Sequence, residues 1–386
     1  MGALFVPGNR IALLKNGAAF FPALEAAIDG AKADVRLETY IFQDDAAGRR
    51  IAHALMRAAA RGVAVRVLVD GFGSRQIPPA FFEEMRRTGV RVLFFRPDRG
   101  LLRFRRSRLR RVHRKIALID GRLGFVGGIN IIDDFTENLS PTHPRLDYAV
   151  LVEGPILADI YPAVLRLWRI VKWTSLKRRD PAYRPPAVAC AACGPVALQF
   201  LQRDNLRHRR DIEHAYLRAI DGAQRSILLT SPYFLPGRRL RRALCRAAQR
   251  GVAVVLLLQG EADHPLLQYA TRALYDQLLS AGVVVHEYTA AMLHGKVAVV
   301  DGEWATVGSS NLDPFSLFLN REANVVARDH DFAETLQQSV EEEIAAHARR
   351  VDPLDWRRRG VWMRLKCATA LLLARMTAGL IGMRRD

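Results

Sequence analysis

The sequence predicts an α/β protein built twice from one layered unit. Three observations predict it. Apolar strand-like runs alternate with amphipathic helical runs and short loops along the first half. Long segments of that half recur in order in the second: AIDGAKADVRLETYIF, from Ala27, is answered by AIDGAQRSILLTSPYF, from Ala219, and RRIAHALMRAAARGVAVRVLVDG, from Arg49, by RRLRRALCRAAQRGVAVVLLLQG, from Arg238. A polar constellation set in an apolar run also occurs once per half: His113, Lys115, Asp120, Gly127-Gly128 and Asn130, then His294, Lys296, Asp301, Gly308-Ser309 and Asn311.

Taken in order, residues 9–21 read as a strand, a turn at Asn16-Gly17 and a helix start. That helix runs through Leu24, Ala27 and Ile28 and ends near Asp29-Gly30. A strand is expected over 35–42, a helix over 46–60, a strand over 63–69, a helix over 79–87 and a strand over 90–95. The offsets between copies are 219 − 27 = 192, 238 − 49 = 189 and, for Gly89 and Gly282, 193 residues, but only 294 − 113 = 181 for the histidines. From Gly89 to His113 is 24 residues and from Gly282 to His294 is 12, so the first half carries an insertion just before its histidine. It holds Arg99, Arg103, Arg105, Arg106, Arg108, Arg110 and Arg111 interleaved with Leu101, Leu102, Phe104 and Leu109. A solvated basic loop would account for this. An anion-attracting lip beside the site, able to enter a headgroup layer, is the sharper expectation, because the insertion abuts the histidine strand.

Residues 155–177 read as a helix with Leu157, Ile160, Val164, Leu167 and Val171 on a core-facing side; a membrane-surface helix bearing Trp168 and Trp173 is the weaker alternative. Residues 180–195 are Pro-rich and read as the linker between halves. The tail beyond Asp355 mixes aromatic, aliphatic and cationic residues, which suits a helix lying in a membrane interface or one docked on the core. The segments are therefore 1–179, 180–195, 196–350 and 351–386.

The net charge of 58 − 39 = +19 favours an anionic partner: nucleic acid, an anionic membrane or a phosphate ester. Disorder is excluded by a 50% hydrophobic composition. No signal peptide is read at the N-terminus, and no apolar run is long enough to span a bilayer. Cys190, Cys193, Cys245 and Cys367 are too few for a disulfide framework, which fits a reducing compartment, and Cys190 and Cys193 read as ordinary linker residues.

Two copies of the constellation give two imidazoles and two ammonium groups for one site. Imidazole can attack or carry a proton near neutral pH. Lysine suits an anionic substrate, asparagine supplies an amide donor, and glycine lets a backbone N–H approach. The target these groups fit is a phosphodiester: one histidine attacks phosphorus, the other protonates the leaving alcohol, and an acceptor alcohol resolves the phosphohistidine. Strand alternation puts His113 and Lys115, and His294 and Lys296, on a common face. Asp120 and Asp301 fall at odd spacing, at an Asp-Gly turn, and are expected to support that turn or pair with a buried cation. The remaining histidines, such as His53 and His214, lack this context and read as structural.

The paired patterns HxKxxxxDxxxxxxGGxN and HxKxxxxDxxxxxxGSxN resemble the two signatures of the phospholipase D superfamily. Segments such as HRKIALIDGRLGFVGGIN, DYAVLVEGPI and LHGKVAVVDGEWATVGSSNLDPFSLFLNREANVV resemble, more finely, bacterial cardiolipin synthases over about residues 9–330. The resemblance implies two similar α/β sandwich domains about a pseudo-twofold, with the active site at their interface. It implies a phosphatidyl-histidine intermediate and neither metal nor other cofactor. His113, Lys115, Asp120, His294, Lys296 and Asp301 become the expected catalytic set, with His113 as nucleophile and His294 as acid and base. Asn130, Asn311, Gly128, Ser309, Asp147 and Glu322 become the supporting set, the two acids orienting the histidines. The expected reaction is phosphatidyl transfer between phosphatidylglycerols at the cytoplasmic side of a bacterial inner membrane, on which the protein sits peripherally. Phosphatidylethanolamine as donor stays open. A hydrolase, a nuclease (which the charge would also suit) and a non-catalytic membrane scaffold are the rivals; the apolar basic flanks favour lipid over nucleic acid, and complete motifs argue against a scaffold.

Overall fold

The computed structural model describes residues 4–97, 110–135, 142–175, 185–188, 191–261 and 265–380. Strand β1 (Val6–Lys15) runs directly into helix α1 (Asn16–Gly30). No separate turn intervenes, because Asn16 itself takes a left-handed backbone (φ 58), which asparagine tolerates. Then come β2 (Asp34–Thr39), α2 (Ala46–Ala60), β3 (Ala64–Asp70), α3 (Pro79–Arg87) and β4 (Arg91–Phe95). Strand β2 is shorter than the expected 35–42; Phe42 forms an isolated bridge to Ile131 instead. The half is completed by the hairpin β5 (Lys115–Ile119) and β6 (Leu123–Gly127), by β7 (Tyr148–Glu153) and by α4 (Leu157–Thr174).

The second half repeats this. It comprises β8 (Val196–Arg203), α5 (Asp211–Gly222), β9 (Ser226–Ser231), α6 (Arg238–Gln249), β10 (Ala253–Gln259), α7 (Pro265–Arg272), α8 (Tyr275–Ser280) and β11 (Val284–Tyr288). It continues with β12 (Val297–Val300), β13 (Trp304–Gly308), α9 (Pro314–Phe318), β14 (Glu322–Arg328) and α10 (His330–His347). The tail forms β15 (Ala348–Arg350), α11 (Pro353–Arg357) and α12 (Val361–Leu380).

All the strands join one sheet, in the order β15-β11-β10-β9-β12-β13-β14-β8-β1-β7-β6-β5-β2-β3-β4. Outward from the centre, β1-β7-β6-β5-β2-β3-β4 mirrors β8-β14-β13-β12-β9-β10-β11. The seam is the antiparallel pair β1–β8, with Val6 opposite Leu198 and Asn9 opposite Val196. Both faces of the histidine-bearing hairpins are buried, as period-two alternation requires. In β5, Ala117 and Ile119 pack under α1 and α2 while Ile116 and Leu118 face a central core. In β12, Val297 and Val299 enter the same central core while Ala298 and Val300 face α5 and α6. That central core also takes Ile160 and Val164 of α4 and Leu336 and Val340 of α10, so it belongs to both halves.

The five expected core positions of α4 are buried, and Trp173 is exposed. Helix α12 packs against α7 through Cys367, Ala370 and Ala374, while Trp362 (77% exposed), Leu365, Leu372 and Met376 face outward. Among the described residues no helix is long and apolar enough to cross a membrane. Of the Arg-rich insertion, residues 98–109 lie outside the described residues, as does Cys190; Arg110 and Arg111 lie inside, and Cys193 is a free thiol.

Candidate active site

The two histidines stand just before their strands: β5 begins at Lys115, and β12 only after Lys296. Their backbones are held by the opposite half. The N–H groups of His113 and Arg114 both donate to Arg321 O, at 2.9 and 3.0 Å; those of His294 and Gly295 both donate to Leu146 O, at 2.8 and 2.9 Å. Each clamping carbonyl immediately precedes an acid that takes the same histidine by its side chain. His113 Nδ1 lies 3.1 Å from both Glu322 carboxylate oxygens, and His294 Nδ1 lies 2.6 Å from Asp147 Oδ2. The pairing is crossed: first-half histidine with second-half acid, and the reverse. Both carboxylates are buried. A carboxylate at Nδ1 favours the tautomer with its proton there, leaving Nε2 with its lone pair.

The lysines complete the centre. Lys115 Nζ donates to His113 O at 2.7 Å, and Lys296 Nζ donates to His294 O. Burial pushes Lys115 down to about 8, against the pull of Glu322 and Asp147. It pushes Lys296 down to about 7, with Lys115 as a nearby like charge and Asp147 opposing. The imidazoles are also shifted down by burial and by the two lysines, His294 well below the ordinary value. Asp147 is pushed up to about 6 by burial, with Lys296 opposing. A bound phosphate anion would supply the counter-charge that this cluster of buried cations needs.

The supporting residues divide. Gly128 is required by closeness: a Cβ there would stand 2.2 Å from Asp147 Oδ1. Its N–H, expected to approach the substrate, donates instead to Tyr148 O at 2.9 Å. At the equivalent place Ser309 Oγ donates to Glu322 Oε2 at 2.5 Å, and its N–H donates to Ala323 O. Asn130 Oδ1 accepts from Ile41 N at 3.2 Å; Asn311 is buried, and its Oδ1 has no partner.

Asp120 and Asp301 do not join the site, which corrects their place in the expected catalytic set. Each opens a hairpin turn in which it and the following glycine take positive φ: 51 and 63 for Asp120-Gly121, 55 and 68 for Asp301-Gly302. Asp120 accepts from the N–H groups of Lys32, Ala33 and Asp34 at 2.7–2.8 Å, and Asp301 from those of Gln224, Arg225 and Ser226 at 2.7–2.9 Å. These carboxylates tie the hairpins to the starts of β2 and β9. Turn support was one of the two roles expected.

The structure adds residues that the spacing did not mark. Asn16 Oδ1 accepts the Asp147 N–H at 3.0 Å, which fixes that acid. Asp70 Oδ2 accepts from Val112 N at 2.9 Å, and Gln259 Oε1 accepts from Leu293 N at 2.5 Å; both steady the residue before a histidine. The Tyr40 ring stands 5.0 Å from that of His113. The repeat itself held the signal for Asp70 and Gln259, since VLVDG and LLLQG occupy matching places.

The family described as "Cardiolipin synthase, PLD-like domain" matches residues 24–142 and 216–344. Cardiolipin synthase B of Salmonella typhi is 40% identical over 380 residues, covering 97% of this chain and 90% of the relative. Cardiolipin synthase B of Escherichia coli K12 is 39% identical over 379 residues, again 97% and 90%. Among solved structures, phosphatidylserine synthase of Haemophilus influenzae superposes with a TM-score of 0.73 at 15% identity, covering 97% of this chain and 96% of that one, a likeness of fold.

Proposed function

The chain belongs to the cardiolipin synthase family of phospholipase D-like proteins, and from that premise we propose that it moves a phosphatidyl group from one phosphatidylglycerol to another. The observation that carries this reading is the crossed pair: two imidazoles, each tied at Nδ1 to an acid of the other half, with a buried lysine bonded to the carbonyl of each histidine. His113 Nε2 attacks phosphorus, and the bond from phosphorus to the glycerol oxygen breaks. His294, protonated once the anion is bound, gives its proton to that oxygen, and glycerol leaves. His294 then takes the proton of a hydroxyl on the second phosphatidylglycerol. The freed oxygen attacks phosphorus, the P–N bond breaks, and cardiolipin forms. One phosphodiester replaces another, so the exchange needs no energy source. His294 is buried and the His113 side chain is only 12% exposed, which limits water as a competing acceptor.

Each imidazole carries a carboxylate at Nδ1, so the reverse order, with His294 attacking, is the alternative. Acid-trapping the labelled intermediate and mapping the peptide that carries it decides between them. The enzyme works on a membrane face, at the inner bacterial membrane on its cytoplasmic side, with the outward apolar face of α12 in the headgroup layer. The two repeats, 1–179 and 196–350, act as half-sites.

Purified protein incubated with labelled phosphatidylglycerol in mixed micelles tests the reading. Cardiolipin and glycerol are the expected products. Phosphatidic acid alone would make the protein a hydrolase, and inert lipid with nicked plasmid would make it a nuclease. His113→Ala and His294→Ala should each abolish turnover; a near-normal rate in either would end the two-histidine mechanism.

A further inference from the structure

One side of the catalytic pair carries arginines that the other lacks. Arg110 and Arg111 stand just before Val112 and His113, where Ala291 and Met292 stand before Leu293 and His294. Arg321 precedes Glu322, where Leu146 precedes Asp147. Arg96 follows Phe95 at the end of β4, where Thr289 follows Tyr288 at the end of β11. The fold gathers the four. Arg96 Nη1 donates to Arg110 O at 3.3 Å, Arg321 N donates to Arg111 O at 2.8 Å, and Arg321 O holds the His113 N–H. Each is half-buried, and Arg96 keeps a left-handed backbone (φ 47) there.

The carboxylates nearby hold other groups, and of the four arginines Arg111 shares one, Asp70. Asp70 accepts from Val112, Phe72 and Gly73 and lies 3.8 Å from Arg111. Asp204 accepts from the N–H groups of Leu206, Arg207 and His208. Glu322 holds His113 and Ser309. Among the described residues no carboxylate lies within ion-pair distance of Arg96, Arg110 or Arg321. Burial presses Arg96 down to about 10, with Arg110, Arg321 and Arg111 adding to it. Guanidinium groups half-buried in excess, beside a phosphoryl-transfer centre, call for an anion.

We propose that the side chains of Arg96, Arg110, Arg111 and Arg321 form a second phosphate subsite, on the His113 side, for the phosphodiester of the acceptor lipid. The proposal rests on the synthase reading. An acceptor phosphatidylglycerol attacks through one end of its headgroup glycerol while the other end carries an uncleaved phosphodiester. That second anion lies beside the reacting phosphorus and needs its own cations. Water and free glycerol bring no such group, so the subsite selects a phospholipid as acceptor.

The test uses full-length protein carrying Arg96→Gln and Arg110→Gln together, with two measurements in mixed micelles. One is cardiolipin formation. The other is exchange of labelled free glycerol into phosphatidylglycerol, which uses the same donor and histidines but a neutral acceptor. Cardiolipin formation should fall roughly ten- to a hundredfold, while exchange falls less than about threefold, as expected for charge-assisted hydrogen bonds made to the acceptor alone. Arg96→Lys with Arg110→Lys should recover part of the loss. Equal losses in both measurements, or no loss in either, would overturn the subsite. So would a site for free phosphate, seen as inorganic phosphate altering wild-type exchange, with the response lost in the double variant while its cardiolipin formation is intact. Wild-type protein that exchanges glycerol but forms no cardiolipin would overturn the synthase reading itself, and the subsite with it.

Discussion

Lys115 and Lys296 are buried cations whose affinity for protons the fold has lowered, to about 8 and about 7. A phosphodiester bound beside them raises both again, so binding takes up protons once the pH exceeds about 7. Affinity for a non-cleavable phosphatidylglycerol analogue should therefore weaken as the pH climbs from about 7 to 9. Calorimetry in buffers of different ionisation enthalpy measures the uptake directly, and proton release would contradict it. The acids give a second expectation. Asp147→Asn and Glu322→Gln each deprive one imidazole of its anionic partner and should lower kcat by roughly 10²- to 10⁴-fold with little change in fold by circular dichroism. At this scale the repeat marked the histidines and lysines, because the pattern occurs twice, while Asp147 and Glu322 came from the resemblance to the phospholipase D superfamily. It could not show that His113 meets Glu322 and His294 meets Asp147, since crossing is a property of assembly and spacing is blind to it. Nor could it show that the Gly128 N–H is taken by Tyr148 O, a bond fixed by strand register.

The hairpins make the aspartates' role testable. Asp120→Ala removes three hydrogen bonds from the start of β2, at a cost of about 2–4 kcal/mol. A clear fall in Tm is expected by calorimetry, with the surviving folded fraction keeping most of its turnover; a variant with unchanged Tm and no activity would restore Asp120 to the catalytic set. Element limits were legible where the stop signals are local. The expected helix over 46–60 matches α2, whose Asp45 accepts the Gly48 N–H as its cap. Strand β2 ends at Thr39, and Phe42 beyond it bridges Ile131, a partner distant in sequence that no local signal marks. The tail helix is docked, one of the two alternatives expected, through Cys367, Ala370 and Ala374, and it is apolar outward at Trp362, Leu372 and Met376. Changing those three outward residues to serine should weaken flotation with anionic vesicles by about tenfold or more while leaving Tm within a few degrees. Undiminished flotation would remove α12 from the membrane contact.

The molecule as a whole is one sheet with a doubled order, closed at the β1–β8 seam and around a shared core. Duplication was the most legible feature of the chain, because ordered matching segments survive in both halves. The seam was not legible: β1 and β8 meet at Val6–Leu198 and Asn9–Val196, and no repeated pattern marks that join. Because each histidine takes both its backbone anchor and its acid from the opposite half, neither half holds a working centre. Crossing also has a consequence for heredity. A chain with His113→Ala and a chain with His294→Ala each spoil the single centre they own, and an intact histidine on one cannot serve the other while both chains are closed on themselves. Two such alleles in one cell should fail to complement, so that a gene with two look-alike motifs behaves as one indivisible unit of function.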